Sequence, residues 1–444
     1  MTVKVRFAPS PTGLLHIGNA RMALLNWLFA AKHRGQFILR LDDTDAARSK
    51  AEYAEAIERD LLWLGLTWDD KAYQSGRLAR YEAAFETLRG AGRLYPCFET
   101  QEELEYKRKR QLARGHPPVY DRAGLSVSDA DRAAFEAEGC KPHWRFLLDH
   151  AEIAWDDLAR GPVRFEGENL SDPVVRREDG SWLYMLPSVV DDVDMGITHV
   201  IRGEDHVANT AVQAQMFQAL GAPAAAFAHL PLLTDAAGQG LSKRAGSITL
   251  QSMREAGIEA IALNNFLAQL GSGETETILY SLNDLAEAFD IAGYGRAAPK
   301  FDRHQLESLN SRVLHDMPFD RVRDRLAEMG LDDIDEHFWR AVRANLDRLG
   351  DIADWHAVCF AALETPVDDA AFIARAAALL PPEPWDEGTW KAWTQVLGKE
   401  TGRKGKDLFL PLRRTLTGRD HGPELKTLLP LMGRMRVLER LRAS

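Results

Sequence analysis

The sequence predicts an α/β protein in which a parallel-sheet domain is split by an α+β insertion and followed by an all-α region. Three observations support this. Strand and helix patterns alternate over the first 95 residues, the alternation breaks between about 96 and 181 before it resumes, and the apolar spacing beyond about residue 257 is helical almost to the end. At 444 residues, the chain is long enough for roughly two to four domains.

The first predicted strand leads into a turn that suits a phosphate group. A short alternating apolar strand precedes the turn, and an amphipathic helix begins near Ile17. Gly13 and Gly18 let the backbone approach a ligand closely, and unpaired N–H groups at the helix start face the turn. His16 lies two residues before Gly18. The common glycine-rich nucleotide motifs are absent here, so a tight turn with an incidental histidine remains an alternative to an anion site.

The next elements complete a βαβα pattern. A buried-type strand, Gln36–Leu41, ends in the acidic run Asp42–Asp45. Because parallel sheets bind ligands at the carboxyl ends of their strands, His16 and Asp42 are expected on the same rim. The acidic run could instead cap the following helix. Helices are predicted at Lys50–Leu64 and Arg77–Gly90.

The composition is that of a soluble globular chain. The formal net charge is −11, and the sequence has neither a run of about eighteen apolar residues nor a basic region followed by a hydrophobic one at its N-terminus. The cysteines Cys97, Cys140 and Cys359 are far apart and odd in number, which favours reduced thiols. We therefore expect a cytoplasmic protein that does not bind membranes.

Two basic segments reverse the acidic balance locally. The first is Lys107–Arg110, on a predicted helix that the capping box Thr100–Glu103 opens, and the second is the tail from Glu400 to Ser444. Local rather than net charge governs nucleic-acid binding, but solvated helix faces would also explain either run.

After the insertion, two apolar segments end in charged residues. We predict that the sheet resumes at Trp182–Asp192 and continues with a strand over Ile197–His206, which carries Arg202 near its end. Such charges are costly unless they are paired or exposed, so a structural ion pair and a ligand site both remain open. Helices are predicted at Asn209–Leu220, Ile258–Leu270, Asp320–Met329, Glu336–Leu349, Asp369–Leu380 and Glu387–Leu397.

Three motifs resemble the glutamyl and glutaminyl branch of the class I aminoacyl-tRNA synthetases. Phe-Ala-Pro-Ser-Pro-Thr-Gly-Leu-Leu-His-Ile-Gly, ending at Gly18, resembles the HIGH element and its lead-in, and the run Asp191–His206 resembles a sheet motif of the glutamyl enzymes. Leu241–Arg244 resembles the KMSKS loop, although a surface turn would also fit these residues. The stretch 404–418 resembles the end of the bacterial glutamyl enzymes, so the likeness covers nearly the whole chain.

The resemblance implies a Rossmann-type catalytic domain with a defined set of site residues. His16 and Lys243 would be catalytic. Arg202 would bind the substrate's α-carboxylate, Tyr184 and Arg6 would face its side chain, and Asp42 would hold its amino group. The implied ATP-binding residues are His16, Gly18, Asn19, Asp205, Lys243 and Arg244, and the implied glutamate-binding residues are Arg6, Ala8, Ser10, Asp42, Tyr184, Ser188 and Arg202.

The chain departs from the family pattern at three positions. Asp42 replaces a glutamate that is one methylene longer, so direct contact with the amino group is an open question. Ser188 replaces an asparagine common in relatives, which predicts a looser or wetter corner of the pocket. Gly240 replaces the first lysine of the loop motif, so Lys243 must carry the phosphate contact, helped by Arg244.

The implied function is ATP-dependent ligation of L-glutamate to tRNA(Glu) through a glutamyl adenylate, with tRNA(Gln) as an open second substrate and Mg²⁺ supplied with ATP. Arg6 favours glutamate because a carboxylate only accepts hydrogen bonds, whereas glutamine would aim its NH₂ at a cation. A monomer is the default expectation. The predicted domains are a catalytic domain at 1–95 and 182–235, an acceptor-end-binding insertion at 96–181, the loop and stem-contact region at 236–310, and a helical anticodon-binding domain at 311–444.

Some relatives carry zinc in the insertion. Here Cys97 is followed by Glu99, and no cysteine lies near Tyr120. The ligand count is too low for a zinc site, so no zinc is expected.

Other functions remain as alternatives. A glutaminyl enzyme would end in β-barrels, and the truncated paralogue that modifies a tRNA base would lack the last third. A nucleotidyltransferase that adenylates a small carboxylate without tRNA would leave the insertion and the basic tail unexplained. A catalytically dead tRNA-binding module would require Asp42 and Gly240 to be damage rather than variation.

Overall fold

The computed structural model describes residues 2–115, 117–235, 237–241, 248–273, 277–366 and 368–442. They form two compact units. The first comprises Met1–Glu255 and Asn264–Asp302, and the second comprises Ala256–Leu263 and Arg303–Ser444.

All the strands of the described residues lie in the first unit. They are β1 (Lys4–Phe7), β2 (Gln36–Leu41), β3 (Asp70–Tyr73), β4 (Leu94–Cys97), β5 (His143–Phe146), β6 (Glu152–Asp157), β7 (Gly161–Glu166), β8 (Val174–Arg176), β9 (His199–Gly203) and β10 (Ala226–Leu230). The helices up to Ala288 are α1 (Ile17–Lys32), α2 (Ala51–Trp63), α3 (Leu78–Gly90), α4 (Gln101–Ala113), α5 (Asp129–Ala137), α6 (Met185–Asp194), α7 (Val207–Ala219), α8 (Leu250–Glu255), α9 (Ala260–Gln269) and α10 (Leu282–Ala288).

Two groups of parallel strands form the predicted sheet. β1, β2 and β3 pair in that order, and β9 pairs with β10 in parallel. The two groups meet where the N–H of Thr198 donates to the carbonyl of Lys4 (2.9 Å). The α/β class is therefore confirmed, and the carboxyl ends of β1, β2, β9 and β10 come to one rim.

The strand predicted over Trp182–Asp192 is wrong, because this stretch forms helix α6. Its buried apolar residues, Leu186, Val189 and Val190, follow the i, i+3, i+4 spacing of a helix. Asp191 and Asp192 are buried as well, so almost the whole segment is enclosed. A short helix with seven consecutive buried residues has the same continuous run as a buried strand.

The segment predicted as the insertion combines the helices α4 and α5 with antiparallel strands. β4, β5 and β8 form one small sheet, and β6 pairs with β7 in a hairpin. The capping box at Thr100 and Glu103 is confirmed, and the basic helix α4 that it opens has no buried residue. The charges of α4 are therefore exposed to solvent. The bounds of the insertion stay a prediction.

The second unit is helical throughout its described residues, apart from connecting turns. Its helices after α9 are α11 (Arg303–Asp316), α12 (Arg323–Glu328), α13 (Glu336–Val342), α14 (Ile352–Phe360), α15 (Ala370–Ala378), α16 (Glu387–Thr401), α17 (Lys406–Thr417) and α18 (Leu425–Arg442). α18 bends at Gly433, whose φ of 72° is left-handed. In the part of the chain that the structure describes, no helix is both long and apolar enough to cross a membrane.

Candidate active site

A cavity of about 490 Å³ opens at the rim where the parallel strands end. Its wall combines the first turn and helix start with the ends of β2, β9 and β10. Of the residues expected to bind ATP or glutamate, the wall contains Arg6, Ala8, Ser10, His16, Gly18, Asn19, Asp42, Tyr184, Arg202 and Asp205. The structure thus brings together nearly all the described residues that the resemblance singles out.

His16 caps helix α1 with its own ring. The backbone N–H groups of Gly18 and Asn19 donate to His16 Nδ1, at 3.1 and 3.4 Å. Two of the N–H groups expected to face an anion therefore bind the imidazole. Burial lowers the pKa of His16, so the ring is neutral and carries its proton on Nε2. The donor that the start of α1 offers to a ligand is therefore the Nε2–H of His16.

One end of the KMSKS-like segment lines the cavity, and the other end lies beside His16. Gly240 and Leu241 line the cavity. On the far side of the segment, the N–H of Ile17 donates to the carbonyl of Ile248 (3.0 Å), and Thr249 forms a β-bridge with His16. Lys243 and Arg244 themselves lie outside the described residues.

Arg40 pairs with the acidic side chains on one side of the pocket. It is fully buried, and its Nε and Nη2 donate to both carboxylate oxygens of Asp42, at 2.7 and 3.2 Å. Its Nη1 donates to Asp192 Oδ1 (2.8 Å), which also accepts from Arg6 Nε (3.1 Å). Asp42 thus reaches the cavity wall with both oxygens already engaged by Arg40.

Ser188 lies behind this wall and not on it. Its side chain is fully buried, and its Oγ accepts from Arg40 Nη2 at 3.3 Å. The predicted effect of Ser188 on a corner of the substrate pocket would therefore pass through Arg40, and it stays a prediction. Residue 188 lies on helix α6, on the side that faces Arg40.

Arg202 differs from Arg40 in the charge of its partners. It is 6% exposed and donates to the Tyr184 hydroxyl (3.0 Å), the Thr210 hydroxyl (2.6 Å) and His229 Nε2 (3.3 Å). All three acceptors are neutral, and within the described part of the chain Arg202 forms no ion pair. Burial lowers the pKa of Arg202 by more than Tyr184 and the Asp192 carboxylate raise it. Tyr184, expected at the other end of the substrate, is therefore next to Arg202.

Sequence reasoning missed several residues of this region. His206, Met22 and Asn26 line the cavity, and Arg40 and Asp192 support it from behind. The pair Asp191–Asp192 within an apolar run could have indicated a buried cation such as Arg40, because buried charges need partners. Thr210 and His229 carried no such signal.

The insertion contains one group of side chains with metal-binding chemistry. Cys97, Glu99 and His143 place one ligand atom each within 4.8 Å of one another, so His143 adds a donor that sequence spacing did not reveal. However, burial raises the pKa of the Cys97 thiol to about 11, and Lys107 Nζ lies 3.2 Å from Glu99 Oε1. A bound zinc ion would itself deprotonate the thiol, so the absence of zinc stays a prediction.

A parallel sheet with a capped His-Ile-Gly-Asn turn at its rim is the architecture expected of class I tRNA synthetases. The family described as "tRNA synthetases class I (E and Q), catalytic domain" matches residues 2–308, and "Anticodon binding domain" matches residues 315–444. Because the first match alone spans more than half of the sequence, the chain belongs to the class I tRNA synthetases of the E and Q family.

Individual relatives agree with this family. A glutamate–tRNA ligase of Azospirillum brasilense is 58% identical, with 99% of each chain covered. Glutamate–tRNA ligase 2 of Methylorubrum populi is 56% identical, with 98% of each covered. The crystal structure of a glutamate tRNA ligase from Elizabethkingia meningosepticum, solved with its amino acid, is similar with a TM-score of 0.87 at 26% identity, covering 100% of this chain and 99% of that one.

Proposed function

We propose that the protein ligates L-glutamate to tRNA(Glu) in two steps, through a glutamyl adenylate. The observation that carries this proposal is the state of Arg202, a buried guanidinium on the cavity wall whose partners are all neutral. Burying a cation is costly unless an anion compensates it. A carboxylate of the substrate is the anion that this cavity can receive.

Two arginines on one wall match a substrate with two carboxylates. Arg6 and Arg202 both line the cavity, and the only side-chain hydrogen bond of Arg6 among the described residues uses its Nε. Glutamate offers two acceptor-only groups, whereas glutamine would aim amide N–H groups at one of the cations. A site of this kind can reject the mispaired analogue by roughly 10⁴ to 10⁵.

The other half of the cavity suits ATP and its Mg²⁺. The Nε2–H of His16 can donate to a phosphate oxygen, and Gly18, Asn19 and Asp205 line the same space. Lys243 follows the cavity residue Leu241 by two positions, which supports a phosphate contact for Lys243 and Arg244. Mg²⁺ would enter with the triphosphate and neutralise part of its charge.

The first step needs alignment and charge neutralisation but no base. The substrate's ionised α-carboxylate attacks the α-phosphorus, a bond to the bridging oxygen breaks, and pyrophosphate leaves. In the second step a ribose hydroxyl of the tRNA terminus, in this class normally the 2′-OH, takes the acyl group and releases AMP. Lys243→Ala should abolish the first step while leaving tRNA affinity nearly intact. Strongly weakened tRNA binding would contradict the phosphate role.

Other expectations follow from the same function. The exposed basic face of α4 supports contact with the tRNA acceptor end, and a translation enzyme belongs in the cytoplasm. Monomeric state, the internal domain bounds and the absence of zinc stay predictions. Metal analysis of the purified protein should find less than one zinc per ten chains, and one zinc per chain would overturn the zinc prediction.

Alternative functions have less support. The relatives reported above are named for glutamate, and the described residues beyond 302 are helical, unlike the β-barrels expected of a glutaminyl enzyme. A tRNA-independent nucleotidyltransferase does not account for the match of an anticodon-binding domain to residues 315–444.

Charging assays test the proposal directly. Purified protein should transfer labelled glutamate, but not glutamine, to tRNA(Glu) in the presence of ATP and Mg²⁺. Parallel reactions with tRNA(Gln) measure whether that tRNA is also charged, and pyrophosphate exchange with and without tRNA measures whether activation requires it. Failure to charge tRNA(Glu) with glutamate would refute the function.

A further inference from the structure

A buried chain of hydrogen bonds runs from Arg202 away from the cavity. Arg202 lies on β9 directly opposite His229 on β10, and its Nε donates to His229 Nε2 at 3.3 Å. Thr210 Oγ accepts from Arg202 Nη2 (2.6 Å) and lies 2.8 Å from His229 Nε2. Two of the three guanidinium nitrogens, Nε and Nη2, are therefore held by residues behind the cavity wall.

The partner on the other side of His229 determines its tautomer. His229 is fully buried, and its Nδ1 lies 2.5 Å from Asp157 Oδ2. A carboxylate only accepts hydrogen bonds, so Nδ1 must carry the proton. Burial lowers the pKa of His229, which keeps the ring neutral and leaves a lone pair on Nε2. That lone pair is what Arg202 and Thr210 need as an acceptor.

Asp157 is held firmly enough to impose this arrangement. It ends β6 of the hairpin β6–β7, is 3% exposed, and accepts the backbone N–H of His229 (3.1 Å) as well as those of Ala159 and Arg160 (3.2 and 3.1 Å). Burial alone would raise the pKa of Asp157, but hydrogen bonds from His229 and from the backbone outweigh burial and lower it. The carboxylate is thus ionised and fixed, 72 residues away in sequence from the histidine it orients.

We propose that Asp157 and His229 are positioning residues, which set the orientation of the Arg202 guanidinium so that it meets a carboxylate of the substrate. This inference rests on the proposed function, in which Arg202 binds glutamate. Neither residue lines the cavity, so neither touches substrate. Their effect passes through the hydrogen bonds to Arg202, as in other sites where a supporting shell fixes the binding group.

Two substitutions at His229 separate positioning from packing. The amide of His229→Gln can place an oxygen near the position of Nε2 and still accept from Arg202, whereas His229→Asn can reach Asp157 but not Arg202. We expect the KM for glutamate to rise about tenfold in His229→Asn and clearly less in His229→Gln, the loss expected for one hydrogen bond to a charged group. The KM for ATP should stay within about twofold of the wild type in both variants.

Asp157→Asn tests the tautomer and offers a second route if a histidine variant fails to fold. The amide introduced at position 157 can turn its NH₂ toward His229 Nδ1, which would move the ring proton to Nε2. The Nε2–H of His229 and the Nε–H of Arg202 would then be two donors facing each other. Nitrogen NMR of labelled histidine should show Nδ1–H in the wild type and Nε2–H in Asp157→Asn, with a rise of about tenfold in the KM for glutamate.

Tyr95→Phe is the matched control. It removes a buried hydrogen bond from Tyr95 to another carboxylate, Asp172 (2.6 Å), at a distance from Arg202. It should lower thermal stability without changing either KM.

The inference is overturned if the Asp157 and His229 variants leave the KM for glutamate unchanged, or if they raise both KM values together, as a general distortion of the cavity would. Arg202→Gln keeps the two proposals distinguishable. If that variant also keeps a normal KM for glutamate, the proposed role of Arg202 fails. If only the Asp157 and His229 variants behave normally, the positioning role alone fails.

Discussion

Arg40 and Arg202 are two buried arginines at the ends of parallel strands, yet their surroundings are opposite. Arg40 is 0% exposed and contacts Asp42 and Asp192 directly. Arg202 is 6% exposed and contacts a tyrosine, a threonine and a neutral histidine. The first guanidinium is compensated by the protein, whereas the second is left for a ligand to compensate.

This difference in charge compensation distinguishes Arg40, which supports the fold, from Arg202, which is available to bind substrate. A buried ion pair contributes little net stability, but removing one partner is expensive because the other charge stays buried. Breaking the Arg40 cluster should therefore affect folding first. Arg202 costs the folded protein some stability, and a bound carboxylate repays it, so changing Arg202 should affect binding first.

Arg40→Met should give the largest effect. It leaves the Asp42 carboxylate without its hydrogen-bonded cation and removes one of the two arginines that contact Asp192, which keeps Arg6. We expect a loss of about 3–5 kcal/mol in the free energy of unfolding. Urea denaturation measures this. Arg48→Met, which breaks the exposed pair with Asp45, is the control and should change stability little. If both variants lose the same small amount, Arg40 is not the scaffold cation.

Arg202→Gln should impair substrate use and leave stability intact, the opposite of Arg40→Met. We expect kcat/KM for glutamate to fall about a hundredfold because charge-assisted hydrogen bonds to a carboxylate are lost. Stability should stay the same or rise, since a buried cation without an anion is removed. Steady-state charging and urea denaturation of the same preparation measure both. A protein destabilised as strongly as Arg40→Met, with normal kinetics, would contradict the comparison.

Gly18→Ala tests the nucleotide side of the cavity. Alanine in place of glycine ordinarily favours a helix by about 1 kcal/mol. Here an added Cβ would lie 3.1 Å from His16 Cε1 and Nδ1, so the imidazole must shift. We expect about a tenfold loss in kcat/KM for ATP, typical of a misplaced contact group, without loss of stability. Unchanged kinetics would mean that the position of His16 does not matter.

The smallest of these effects near neutral pH should be the pH dependence of stability and of kcat/KM for ATP that His16 sets. Burial lowers the pKa of His16 from its ordinary 6.5, so the folded protein binds this proton less readily than the unfolded chain. The contribution to stability is complete above about pH 6.5 and declines as the pH falls, because protonated Nδ1 can no longer accept from Gly18 and Asn19. kcat/KM for ATP should be level above pH 6.5 and fall in acid. His16→Asn, which can still cap the helix, should be slower but lack this acid limb.

Local pattern explains which parts of this site could be predicted from sequence. The strand, turn and helix around His16 and the acidic end of β2 are contiguous, so spacing and resemblance located them. Helix α6 was mistaken for a strand because residues 186–192 are all buried, which gives the continuous run typical of a buried strand. The pairing of its acids with Arg40 on another element leaves no local pattern. Asp157 and His229 meet only through the fold of the hairpin β6–β7 against β10. Resemblance assigned Ser188 to the pocket, but contacts with Arg40 put it behind the wall.

Calorimetric titration of glutamate into the wild type and Arg202→Gln tests the central claim most directly. We expect the wild type to bind glutamate more tightly than glutamine, and Arg202→Gln to bind glutamate far more weakly while remaining folded. Equal affinity of both proteins for glutamate would show that Arg202 does not receive the substrate's carboxylate and would contradict the account.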